Sequence, residues 1–253
     1  MTRGATPAGV DPANQVAVSR QIREMFGRVA PRYDFLNRLL SLRIDQYWRS
    51  ALVRKARPYL ERPAARVLDL CCGTGDLVVA LDRERKRLCG DAAIPVTGAD
   101  FSRPMLAEAG RKLVRKSRPM RLIEADALEV PARDASFDLI TIAWGFRNLA
   151  DYDAGLREFA RLTAPGGCLA ILEFSQPTVP LLAPLFGFYF RHVLPRIGNA
   201  ISGSGGAYSY LQNSVEKFLT PGQLSAAAQK AGFRRVEVWP LSGGISVLHM
   251  CYK

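Results

Sequence analysis

Three acidic residues close three successive short apolar runs: Asp69 in VLDLCCGTGDL, Asp100 in VTGAD and Asp126 in EADAL. Gly73 and Gly75 bracket the turn after the first run, where glycine lets the backbone approach a ligand closely. A carboxylate at position 100 can accept both hydroxyls of a ribose, and Asp126 falls where the edge of an adenine would lie. A tight strand-to-helix turn alone would account for the glycines. It would not account for three carboxylates facing one another across a crevice at the strand ends. A nucleoside cofactor fits them. The dinucleotide fingerprint GxGxxG would want glycine at 71 and near 76, where Cys71 and Asp76 stand, and an acid beside a pyrophosphate repels it. S-adenosyl-L-methionine carries a sulfonium and an amino group and no phosphate, so acidic surroundings suit it better than they suit NAD.

Other chemistries find less support. The two histidines, His192 and His249, lie far apart without a nucleophile motif, which argues against a Ser-His-Asp hydrolase and reads as surface or packing use. Five cysteines, two of them adjacent (Cys71, Cys72), show no CxxC spacing, so neither a disulfide framework nor a metal site is expected.

The formal net charge of +12 is concentrated. Met1 to Arg62 holds 12 Lys/Arg against 5 Asp/Glu, and Arg103 to Arg121 holds 7 against 1. The second run reads as a solvated helix face. The first, with arginines among apolar residues at helical spacing, suits contact with an anionic membrane surface. No uncharged apolar run reaches the ~18 residues that a spanning helix needs. The opening MTRGATPAGVDPANQ lacks the apolar core of a signal peptide. The expectation is a cytoplasmic protein, peripheral at the inner face of the cytoplasmic membrane.

These residues must be held by ordered elements. Val18, Ile22, Met25, Phe26 and Val29, then Ile44, Trp48, Leu52 and Ala56, recur at helical spacing, interrupted by Pro31 and Pro58, and predict two amphipathic helices. From Arg66 the texture is βαβα: RVLDL, a helix from about Gly75, IPVTGA, a helix after Pro104, MRLIEA, FDLITIA, a helix from about Asp151 to Leu162, a PGG turn and CLAILEF. Five parallel strands result. Thr220-Pro221 caps a further helix, and RRVEVWPL and ISVLHMCYK, with only Ser242-Gly243-Gly244 between, must form a hairpin. The expected fold is α/β: a seven-stranded, mostly parallel sheet with helices on both faces and one antiparallel C-terminal strand, plus N-terminal helices and a substrate-side insert. The domain reading is an arm at 1–19, a helical segment at 20–62, and a catalytic domain at 63–253 with the insert at about 177–220. An insert that long, rich in Pro, Gly and aromatics, is usually a lid or substrate-binding element.

Three further signatures resemble the quinone-biosynthesis C-methyltransferases of menaquinone and ubiquinone synthesis, within the class I S-adenosylmethionine-dependent superfamily. YDFLNRLLSLRIDQYW (Tyr33 to Trp48) is similar to the family's N-terminal motif, with Leu36 and Asp45 where methionine and histidine are usual. RLTAPGGCLAILEFSQP (Arg161 to Pro177) is similar to a second, with Leu162 and Ala164 replacing valine and lysine. WGFRN (Trp144 to Asn148) and AYSYLQNSVEKF (Ala207 to Phe218) complete the match, which runs from about Ile22. The resemblance implies cofactor contacts at Thr74, Asp100, Asp126 and Ala127, with Asp69, Gly73 and Gly75 shaping the pocket. Ala143 stands where serine is common, so a side-chain hydrogen bond is lost there while the backbone still lines the site.

The implied reaction is C-methylation of a prenylated quinol, demethylmenaquinol foremost and the benzoquinol of ubiquinone synthesis beside it. Arg147 would stabilise the developing phenolate, through a water that takes the proton, and Asn148 would orient it; the resemblance adds Tyr33 to this cluster. Arginine is a poor base by itself, with a pKa above ~12. The plainer reading of Arg147 is a helix cap paired to Asp151 or Asp153. Two rivals remain: a methyltransferase of another lipid-like substrate, and a degenerate RNA-binding module. The second fits worse, because the aromatics cluster in the apolar insert, away from the basic runs where bases would stack, and no nucleic-acid partner is expected.

Overall fold

A computed structural model describes residues 15–30, 33–114, 120–177, 179–180, 184, 187–189 and 207–253. Its centre is a seven-stranded sheet of order β3-β2-β1-β4-β5-β7-β6. The strands are β1 (Val67–Leu70), β2 (Thr97–Asp100), β3 (Arg121–Glu124), β4 (Phe137–Ala143), β5 (Thr163–Phe174), β6 (Arg235–Leu241) and β7 (Ser246–Tyr252). Strands β1 to β5 pair in parallel, and β7 runs antiparallel to both β5 and β6. The hairpin expectation holds, with a short 3-10 turn at Ser242–Gly244.

Strand alternation divides the core. Leu68, Leu70, Ile140, Ile142, Leu169 and Ile171 face one layer, built on α7 (Tyr152–Leu162). Val67, Leu139, Cys168, Ala170 and Leu172 face the other, formed by α3 (Ile44–Lys55), α4 (Arg57–Leu60) and α5 (Asp76–Cys89). With side chains on both faces buried, parallel strands read as nearly continuous apolar runs, and each buried Leu or Ile contributes about 1.5–3 kcal/mol. Helix starts follow local chemistry. Asp151 caps α7 by accepting from the Ala154 N–H, and Thr220 forms a capping box with Gln223. The helix so capped lies on the same layer as α7, burying Leu224 and Ala228.

The N-terminal segment departs from expectation. Four helices stand where two were read: α1 (Gln15–Val29), which begins inside the segment read as an arm, α2 (Tyr33–Leu40), α3 and α4. Pro58 does not end a helix but lies in the first turn of α4, where no N–H is needed. The stripe Ile44-Trp48-Leu52 is mostly interior: Trp48 is 4% and Leu52 0% exposed. Exposed instead are Phe35 (59%), Leu39, Leu42 (75%) and Tyr47. The PGG segment is part of β5 rather than a turn before it. The Gly166 N–H donates to the Lys253 carbonyl (3.2 Å), the Lys253 N–H to the Gly167 carbonyl (3.1 Å), and the end of the chain thus extends the ladder. Of the insert, the described part is mainly α8 (Ala207–Glu216); Leu181, Leu182, Leu185 and Phe186, and His192, lie outside the described residues.

Candidate active site

All five parallel strands present their carboxyl ends to one side, and the candidate residues converge there because the loops that follow are neighbours. After β1 the chain turns through Cys71 (φ 51°), Gly73 (φ 53°) and Gly75 (φ 79°). At Gly75 a Cβ would also stand 3.2 Å from that of Ala109, so the turn presses on helix α6 (Arg103–Val114). The Asp100 carboxylate ties this turn to its own: Oδ2 accepts from the Gly73 N–H and Oδ1 from the Ser102 N–H, both at 2.8 Å. Burial pushes the Asp100 pKa up, against the lowering effect of those bonds. Asp126, exposed beyond β3, accepts from the Leu128 N–H at 2.9 Å.

Two adjoining cavities result. The larger, about 760 Å³, is lined by Asp100, Asp126, Ala127 and Asn148 and by the apolar Phe26, Phe101, Met105 and Leu149. The smaller, about 450 Å³, contains Asp69, Thr74, Arg49 and Asp34. Tyr33, Cys71, Gly73, Ala143 and Trp144 line both and form the partition. The alternation of β1 explains the division: Leu70 faces the first cavity and Asp69 the second. Gly145 lets the partition close, since a Cβ there would sit 2.4 Å from Cys71 Cβ.

Asp69 is 1% exposed and accepts from the Thr141 hydroxyl through Oδ1 at 2.6 Å. Burial raises its pKa to about 7, with the Thr141 bond pulling down, Asp100 pushing up and Arg49 pulling down. The carboxyl is therefore half-protonated near neutrality, and its contribution to folding is present below pH 3.8 and lost as pH rises through about 7. Asp69→Asn is expected to be more heat-stable than the parent at pH 8 and equal to it below pH 4. A cation bound against Asp69 must expel the proton, so parent affinity for such a ligand is expected to rise about tenfold from pH 6 to pH 8. Calorimetry across that range, with thermal melts, checks both. A flat affinity profile would remove Asp69 from contact with positive charge.

The remaining candidates are placed as follows. Thr74 is buried on the wall of the smaller cavity, and its hydroxyl donates to Asp34 of α2 at 2.5 Å. Lys112 joins them, 2.6 Å from Asp34. This cluster latches α2, and with it Tyr33, over the glycine turn. Burial pushes the Tyr33 hydroxyl above its usual range, while Asn37 and Arg147 pull the other way. Asn148 accepts from the Tyr210 hydroxyl at 3.0 Å.

Arg147 is not on the wall of either cavity. It is 5% exposed, with Nη1 2.8 Å from Glu173 Oε1 and Nε donating to the Ser214 hydroxyl at 3.3 Å. Its ion pair is thus with Glu173, at the end of β5, and not with Asp151 or Asp153. Sequence reasoning passed over Glu173, although an acid closing the apolar run CLAILEF was a signal. It also passed over Arg49 and Asp34. The thiols of Cys71 and Cys72 are driven well up by burial and then by Asp100 and Asp69, which keeps them from acting as nucleophiles. His249 is buried with Nε2 3.2 Å from the Pro221 carbonyl, the packing use expected of it.

A sheet of this order, with Asp69, Asp100 and Asp126 at or just beyond the ends of β1, β2 and β3 beside two cavities, is that of a class I S-adenosylmethionine-dependent methyltransferase. Solved structures share the fold: a SAM-dependent methyltransferase from Thermotoga maritima superposes with a TM-score of 0.61 at 17% identity, over 91% of this chain and 99% of that one. The profile of the ubiE/COQ5 methyltransferase family matches residues 14–253, and the chain belongs to that family. It is 46% identical over 227 residues to a demethylmenaquinone methyltransferase of Thermus thermophilus, spanning 89% of this chain and 98% of that protein. It is 43% identical over 227 residues to the ubiquinone/menaquinone biosynthesis C-methyltransferase of Syntrophotalea carbinolica, spanning 90% and 92%.

Proposed function

We propose that this chain transfers a methyl group from S-adenosylmethionine to a ring carbon of a prenylated quinol, demethylmenaquinol first and the related benzoquinol second. The observation that carries this reading is the placement of Tyr33 and Trp144 on the partition between the two cavities. Asp100 and Asp126, acids suited to a nucleoside, line the larger cavity, and Tyr33 and Trp144 border it and the smaller one. The near-full-length likeness to quinone-pathway relatives supports the substrate class.

The residues fit the cofactor: Asp100 and Asp126 suit ribose and adenine, Ala127 and Ala143 leave room beside them, and Gly73, Thr74 and Gly75 shape the turn. When bound, the cofactor supplies a methyl made electrophilic by its sulfonium. The ring carbon becomes nucleophilic as the neighbouring hydroxyl ionises, and the chain must stabilise that oxygen. Burial, which disfavours the Tyr33 phenolate, suits its hydroxyl to donate a hydrogen bond to that oxygen. Asn148, oriented by Tyr210, turns its amide to the same oxygen. Arg147 acts from behind this wall as a positioning charge, held by Glu173; the hydroxyl proton leaves to water, and after methyl transfer the ring C–H proton is lost and the oxygen is reprotonated, restoring the quinol.

The test is incubation with labelled S-adenosylmethionine, a reductant, and demethylated naphthoquinols and benzoquinols. Label is expected on a ring carbon of the naphthoquinol. Label on oxygen, on nitrogen or on a lipid headgroup would overturn the reading in favour of another lipid-like substrate. Salt-dependent retention on RNA, with no methyl transfer, would favour the RNA-binding rival.

The quinol tail resides in the bilayer, so the chain meets it at the surface. No helix among the described residues is long and apolar enough to cross a membrane. Phe35 and Leu39, one turn apart on α2, and Leu42, in the turn that follows it, are exposed, with Arg38 and Arg43 beside them, which suits shallow insertion into an anionic surface. Lys/Arg near such a surface contribute about 1 kcal/mol each. Co-sedimentation with anionic vesicles is expected to fall with salt and to fall further in Phe35→Ser/Leu42→Ser. Equal binding to neutral vesicles would exclude the electrostatic part.

A further inference from the structure

Trp144 carries a polar group for which the site as described has no use. Its indole Nε1 is buried and has no hydrogen-bond acceptor among the described residues, although Trp144 lines both cavities. The neighbouring Trp48, its ring centre 6.1 Å away, differs: its Nε1 donates to the Ser242 hydroxyl at 2.9 Å. An indole N–H can only donate, and one buried without an acceptor costs free energy that a ligand can recover. Trp144 is also held in an unusual conformation. Its backbone is left-handed, with φ 55°, which is costly for a bulky side chain, and its N–H donates to the Leu172 carbonyl at 2.8 Å. Its own carbonyl accepts from Arg147 Nη1 and, at 3.4 Å, from Asn148 Nδ2. Phe174 packs against the indole with ring centres 5.9 Å apart, and the Arg147 guanidinium lies 5.4 Å from the Phe174 centre. The unused donor therefore belongs to the same cluster as Arg147 and Asn148.

We propose that the Trp144 indole N–H binds the second oxygen of the quinol, the one farther from the carbon that accepts the methyl group. This rests on the reading of the substrate as a quinol. Such a ring carries hydroxyls at opposite ends, and Tyr33 and Asn148 serve only the one beside the accepting carbon. The other must also leave water when the ring is enclosed, and a buried hydroxyl without a partner is costly. The orphaned donor and the second oxygen each supply what the other lacks. Tyr33 and Trp144 border the same two cavities, so the donors for the two oxygens face one space, and the aromatic trio Trp48, Trp144 and Phe174 gives a flat ring surfaces to pack on. Trp144 takes no proton in this role. It fixes the ring's orientation and sets specificity, because a site built to hydrogen-bond an oxygen rejects an analogue that leaves the donor unpaired.

The test uses the full chain saturated with S-adenosylhomocysteine, which has no methyl to transfer, in calorimetric titration with two rings under reductant. One is a short-chain prenylated demethylated naphthoquinol; the other is the same molecule with the farther hydroxyl replaced by hydrogen. The parent is expected to bind the quinol at least tenfold more tightly than the one-hydroxyl analogue. Trp144→Phe, which keeps a ring and removes the N–H, is expected to lose at least tenfold toward the quinol, to change less than about twofold toward the analogue, and to keep its affinity for S-adenosylhomocysteine. The proposal is overturned if the parent binds both rings equally, a result that needs no variant to fold. It is overturned as well if Trp144→Phe weakens both rings alike, because the indole then only packs, or if it weakens S-adenosylhomocysteine at least tenfold while still telling the rings apart, because the N–H then belongs to the cofactor. A parent that methylates the quinol but ignores its farther hydroxyl sinks this contact alone. A parent that binds neither ring and methylates neither sinks the quinol reading with it.

Discussion

Arg147→Ala is expected to lose about 3–5 kcal/mol of stability, because it strands a buried carboxylate, and about 10²-fold or more in kcat with S-adenosylmethionine affinity nearly intact. The partner left behind is Glu173, 1% exposed, whose Oε1 also accepts from the Phe174 N–H at 2.9 Å and whose Oε2 accepts from the Arg147 N–H at 3.2 Å. Two backbone bonds do not neutralise a charge out of water. The two losses separate in the double variant Arg147→Ala/Glu173→Gln, which removes the stranded charge: stability should largely return while kcat stays low. Urea denaturation and steady-state rates, taken at a temperature where every variant is folded, measure both. A near-normal kcat in Arg147→Ala would end its role in the reaction and leave a structural ion pair. Recovery of kcat along with stability in the double variant would say the same.

Asp100→Ala is expected to weaken S-adenosylmethionine binding by at least tenfold, since each charge-assisted hydrogen bond is worth about 1.5–3 kcal/mol. The structure makes the loss twofold in origin. The carboxylate that would hold the ribose is the one that fastens the Gly73 and Ser102 N–H groups, so its removal also loosens the turn that shapes the pocket. Asp100→Asn keeps one acceptor oxygen and should fall between the two. Calorimetric titration giving unchanged affinity for Asp100→Ala would take the residue out of the site.

Much of this was readable along the chain, for a reason that can be stated residue by residue. The short apolar runs RVLDL and FDLITIA, the helix starts at Asp151 and at Thr220-Pro221, and the Ser242-Gly243-Gly244 hairpin are local signals, each acting within a few residues. Parallel strands bring their carboxyl ends to one side whatever their order, which is why Asp69, Asp100 and Asp126 group there in the sequence; strand alternation then set Asp69 on a different cavity from Asp100 and Asp126. Motif resemblance placed Tyr33 and Asn148 near them.

Partners distant in sequence were decided by packing. Arg147 could not be matched to Glu173 from spacing, because the pair spans two strands that only the sheet order makes neighbours, and Asp151 was the nearer acid in the chain. Helical periodicity marked Trp48 and Leu52 as an apolar face but carries no information on whether that face finds a partner. The sheet claimed it, and Phe35 and Leu42 were left to solvent. Lys253, far along the chain, drew the PGG segment into β5. Arg49 reads as one more cation on a basic helix until the fold brings it to the same cavity as Asp69. Local propensity and period act within a few residues and survive in the sequence; charge pairing, burial and the walls of a cavity depend on which distant elements touch, and only the folded chain settles that.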